Sequence, residues 1–129
     1  MSCRPALEKA VDDMKQYTLT DQDLCNIVIN ATIADGHKIG FTIEEVGSAS
    51  YPANDGQWVV ALALMYDVEN NAFDYHWWRR TTYGCWLQIK MNPPVLPFDE
   101  SNNVIYDPQT CNRGDYTVWG GYFLVTPTN

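Results

Sequence analysis

The chain has 129 residues, enough for one domain with an ordinary core, and its 46% hydrophobic and 13% aromatic content excludes a disordered tail. Eight Lys and Arg stand against sixteen Asp and Glu, and the net charge of −8 opposes association with DNA, RNA or anionic lipid. A basic partner suits that charge, as does simple solubility of an aromatic-rich domain.

A single domain, 1–129, is expected. No apolar run approaches the roughly 20 residues of a membrane span. The N-terminal MSCRPALEKAVDD lacks the apolar centre of a signal peptide. The chain as given therefore reads as cytoplasmic, and as secreted only if it is part of a longer precursor. Cys3, Cys25, Cys85 and Cys111 show no Cys-x-x-Cys spacing and have only two histidines for company. Neither a zinc site nor a disulfide scaffold is signalled, and no metal or cofactor is expected.

In chain order, Ala6, Leu7, Ala10, Val11 and Met14 recur at helical spacing and predict an amphipathic helix over residues 3–16. Thr20 opens a second helix. Asp21 and Asp23 lie in its first turn, Leu24, Ile27, Val28 and Ala31 form its buried stripe, and Gly36 is its expected stop. Ile39 to Val46 alternates as a short strand near an edge, and Gly47 to Asp55 is a loop.

Gln57 to Tyr66 is a nearly unbroken apolar run of strand length, expected to be interior and covered on both faces. Glu69-Asn70-Asn71 turns it into a second arm, Phe73 to Thr82. There Phe73, Tyr75, Trp77 and Arg79 face one way, and Asp74, His76, Trp78 and Arg80 the other. Tyr83-Gly84 leads to a third strand, Cys85 to Met91, which extends the hairpin into a meander. Pro93, Pro94 and Pro97 then forbid regular pairing, and Asn92 to Arg113 reads as a long ordered loop in which Val104, Ile105 and Tyr106 need apolar cover. Tyr116 to Val125 is the last strand, with Gly120-Gly121 marking a bulge or a close backbone approach.

The fold class is α+β: two N-terminal helices packed on an antiparallel sheet of about five strands. Residues 22–36 and 56–123 also resemble a group of uncharacterised bacterial proteins of papain-like, NlpC/P60 type. The resemblance is carried by Gly56-Gln57-Trp58-Val59-Val60, Asp74-Tyr75-His76-Trp77-Trp78-Arg79 and Arg113-Gly114-Asp115-Tyr116. It implies a cysteine at a helix N-terminus, a histidine early in the sheet as base, and a third polar residue orienting that histidine. His76 matches the orienting position.

Two departures bear on activity. Gln57 stands where the resembling proteins carry the histidine base, and Cys25 falls outside the segment that would hold the nucleophile, leaving Cys3 as its only replacement. The leading expectation is a catalytically impaired module that binds a peptide, a glycan-peptide such as a peptidoglycan fragment, or a protein partner near Gln57, Asp74, His76 and Trp78. The alternatives are an active cysteine amidase or peptidase using Cys3 with His37 or His76, and an acidic inhibitor or immunity-type protein.

Overall fold

A computed structural model of the chain describes residues 5–6, 20–67, 69–70, 72–89 and 96–128. Pro5 and Ala6 are helical, and the rest of the helix expected over residues 3–16, Cys3 included, lies outside the described residues. The described elements are a helix, α1 (Asp21–Lys38), and five strands: β1 (Phe41–Val46), β2 (Trp58–Asp67), β3 (Ala72–Arg80), β4 (Trp86–Ile89) and β5 (Val118–Pro127). All sheet pairings are antiparallel, in the order β1-β5-β2-β3-β4. The α+β reading therefore holds with one described helix on a five-stranded sheet.

Thr20 caps α1 through a reciprocal box: its Oγ1 accepts from the Asp23 N–H, while the Asp23 carboxylate accepts from the Thr20 N–H. Leu24, Cys25, Val28 and Ala31 are buried along one face, as the apolar spacing requires. The helix does not stop at Gly36. It continues through His37 and Lys38 to a cap at Ile39, and the positive-φ residue that ends the turn is Gly40 (φ 94°). Gly36 serves close packing instead, because a Cβ there would sit 2.7 Å from Ile43 Cδ1.

Strand parity sorts the core into two layers. Val60, Leu62 and Leu64 of β2, with Phe123 and Val125 of β5, pack under α1. Val59, Ala61 and Ala63, with Trp78, Trp86, Tyr122 and Leu124, form the opposite layer, closed by Ile105 from the long loop. The apolar run of β2 is thus central and covered on both faces, which explains its lack of alternation.

The loop over residues 96–117 does the work that a second helical layer performs in other sheets. Its backbone also borders β4: the Gln88 N–H donates to Leu96 O and the Trp86 N–H to Ile105 O, both at 2.8 Å. That blunts an otherwise open edge. Ile105 and Pro108 are fully buried, but Val104 and Tyr106 are 39% and 72% exposed, contrary to the cover expected for all three apolar residues of that run. The bridge Phe98↔Val104 makes this a narrow hairpin in which alternate side chains point outward.

β5 enters between β1 and β2. Leu62 opposes Gly121 and Ala63 opposes Trp119, so Gly120 is the extra residue of a bulge. A Cβ on Gly120 would lie 3.0 Å from Leu62 O and 2.9 Å from Leu62 Cγ, so bulge and close approach coincide. Among the described residues no helix is long and apolar enough to cross a membrane.

Candidate functional site

The parity of β3 puts Asp74, His76, Trp78 and Arg80 on the loop-covered face and Trp77 on the helix face. His76 sits between two rings, edge-on to Trp78 at 4.5 Å between centroids and tilted over Tyr116 at 5.0 Å. Its Nε2 lies 2.9 Å from Gln88 Oε1. Because Gln88 Nε2 donates to Phe98 O, the Gln88 oxygen faces the imidazole, which makes His76 Nε2 the proton-bearing nitrogen. Asp74 accepts from the Tyr116 hydroxyl at 2.7 Å. Burial first, and then that bond, push the Tyr116 phenol up to about 12. The buried Trp78 indole Nε1 has no acceptor among the described residues. These contacts join β3, β4 and the loop.

Gln57 is not part of this group. It precedes Ala63, the strand partner of His76, by six residues, about 20 Å of strand at roughly 3.3 Å per residue. Gln57 Oε1 accepts from the Asn54 N–H at 2.9 Å and its Nε2 donates to Thr126 Oγ1 at 3.1 Å, bracketing the entry into β2.

The described thiols all point at oxygen. Cys25 lies on the buried face of α1, across the sheet from His76, and its S–H is directed at Trp119 O at 3.6 Å. Burial raises its pKa, with Asp21 and Glu45 adding to the effect. Cys111 is directed at Pro108 O at 3.4 Å, and burial pushes its thiol up to about 11. Cys85 Sγ lies 3.4 Å from Thr81 Oγ1. A thiol raised in this way is a poor nucleophile at neutral pH. His37, the other imidazole considered as a partner for Cys3, is an exposed residue of the last turn of α1.

A second feature lies at the opposite end of the sheet. The β2–β3 ladder begins at Val60↔Arg79, whereas Trp58 and Val59 pair with β5 alone. After Arg80 the chain turns toward β4, with the Thr81 N–H donating to Cys85 O at 2.9 Å. The strands splay there, and an open groove of about 620 Å³ occupies the splay, between the segment from Ser50 to Val59 and the turn from Thr81 to Gly84. That volume is in the usual range for small-ligand sites.

Trp58 and Tyr51 supply its apolar wall, and Gln57, Arg79 and Arg80 its main polar side chains. The Arg79 guanidinium lies 5.0 Å from the Trp58 ring centroid, a cation–π arrangement that steadies both. Arg80 NH1 donates to Ala49 O at 2.7 Å. Sequence alone singles out Gln57 for this region, and Trp58 as one of the aromatics able to stack on a peptide, but not Tyr51, Arg79 or Arg80. The signal was present as a pair of adjacent arginines in a chain with few cations.

No family model, no curated protein and no solved structure matches this chain. Its site is therefore read from its own geometry.

Proposed function

We propose that this chain is a non-catalytic binding module of papain-like descent, which takes a peptide segment in the groove between Ser50–Val59 and Thr81–Gly84. The observation that carries the reading is the groove itself: an open splay lined by Trp58, Gln57, Arg79 and Arg80, which bring an aromatic ring, an amide and two guanidiniums to one opening. A peptide presents the complementary chemistry of apolar side chains, amides and carboxylates. The raised thiols of Cys25 and Cys111 disfavour either of these as a nucleophile, which supports a role without hydrolysis through them.

The test is selection from a pool of random short peptides on the immobilised chain, followed by mass spectrometry of both the retained and the unretained peptides. Retained, intact peptides whose retention is lost in Trp58→Ala and kept in His76→Ala support the reading. Cleaved peptides, or retention that depends on His76 rather than Trp58, would overturn it.

A further inference from the structure

Charge divides the groove from the rest of the molecule. The Lys and Arg among the described residues are Lys38, Arg79, Arg80 and Arg113, and two of these four line one groove in a chain of net charge −8. Arg113 is fully engaged elsewhere, donating to the carbonyls of Pro108, Gln109, Tyr116 and Thr117. Arg79 is exposed and bears on Trp58, and Arg80 gives one N–H to Ala49 O, so both guanidiniums are held by contacts that leave further donors. The opposing charge among the lining residues is Asp55, on the exposed rim.

We infer that the groove recognises its peptide by a carboxylate, held by Arg79, with the adjoining apolar side chain against Trp58, while Arg80, projecting from the other face of β3, adds positive charge to the groove. This rests on the peptide-binding reading and names the group that is read. A guanidinium presents parallel N–H donors matching the two oxygens of a carboxylate, and charge-assisted bonds of this kind are about twice as strong as neutral ones. Pre-orientation of Arg79 by Trp58 reduces the side-chain freedom lost on binding. A net charge of −8 disfavours an anionic end in general, so its capture depends on the cations gathered at the groove.

The experiment follows backbone amide NMR shifts of the chain during titration with three probes: acetyl-Ala-Ala-Phe with a free C-terminal carboxylate, the same peptide as its C-terminal amide, and phenyl phosphate. The acid should shift the amides of Ser50 to Val59 and Thr81 to Gly84, and the amide derivative should bind at least about tenfold more weakly, equivalent to about 1.4 kcal/mol. Arg79→Gln, at an exposed position, should weaken the acid and leave the amide derivative unchanged. Asp55→Asn, which leaves both arginines in place, should strengthen the acid selectively.

Equal affinity for acid and amide, or no selective response to Asp55→Asn, sinks the carboxylate inference while leaving a peptide groove standing. Tighter binding of phenyl phosphate than of the acid peptide also overturns it, in favour of a phosphate ligand. If none of the three probes moves the groove amides, the inference fails, and with it the peptide reading.

Discussion

At Gly120 one missing methyl group decides whether two central strands can close. The extra residue of the β5 bulge brings its backbone against Leu62, and a Cβ would meet a carbonyl oxygen at 3.0 Å that no side-chain rotation relieves. Gly120→Ala is expected to destabilise the fold by about 1–3 kcal/mol in urea unfolding, as overpacking does. Gly47→Ala, where a Cβ has nothing within 4 Å, is the control and should stay within about 0.5 kcal/mol of the parent. Equal midpoints for the two variants would show that the strands can separate at the bulge without loss. The glycine pair was readable beforehand because two adjacent glycines inside a strand pattern have few other uses. Gly36 was not: its role comes from Ile43 on the neighbouring strand, and local sequence carries no trace of that contact. The groove eluded the sequence reading for a related reason. Arg79 and Arg80 alternate cleanly within β3, and only the early end of the β2–β3 ladder shows that they face open space.

At the scale of elements, the loop from Leu96 to Thr117 is a structural layer whose pins are polar. Arg113 ties four carbonyls together and lies 5.1 Å from the Trp119 ring centroid, Asp99 accepts N–H bonds from Ser101, Asn103 and Asn112, and the Tyr122 hydroxyl donates to Asp107. Arg113→Ala should therefore free the second half of the loop. Native-state proteolysis should then cut at Tyr116 at least about tenfold faster, since local opening governs cleavage. Cutting no faster than in the parent would mean that Ile105 and Pro108 hold the loop unaided. Alkali tests the same layer. Cys111 and Tyr116 have folded pKa values near 11 and 12 against ordinary values of 9.0 and 10.0, so the folded state retains protons that the unfolded chain has lost. Their stabilising contribution is whole below about pH 9 and declines as pH rises toward 11 and 12. Urea midpoints should fall over that interval, and less steeply in Cys111→Ser. A flat profile would argue against burial of these groups. The meander, the two-sided β2 run and the Thr20 cap were all legible from period and capping chemistry. The loop expected over 92–113 was legible as ordered from Leu96 on, residues 92–95 lying outside the described residues, but which of its apolar residues turn inward depended on the Phe98↔Val104 bridge, a pairing that spacing alone did not reveal.

For the molecule as a whole, the charge of −8 works against compaction, with Glu44 and Glu45 adjacent on the edge strand β1. Added sodium chloride should raise the thermal midpoint by screening that repulsion, with most of the gain reached once the Debye length falls to about 8 Å near physiological ionic strength. A midpoint that falls with salt would instead point to net attraction among the surface charges. The strand order holds a further consequence, and it concerns time. β5 lies between β1 and β2, yet of the five strands it is the last to leave the ribosome. Until then β1 has no neighbour in the sheet, and Leu24, Val28 and Ala31 of α1 await Phe123 and Val125. Of the sheet, the nascent chain can form only the β2–β3–β4 meander, whose first strand, β2, presents an apolar, unpaired edge. Closure of the sheet must therefore wait for β5, and is slowed by contacts distant in sequence. During synthesis the open edge of β2 is where this chain is most exposed to pairing with the wrong strand.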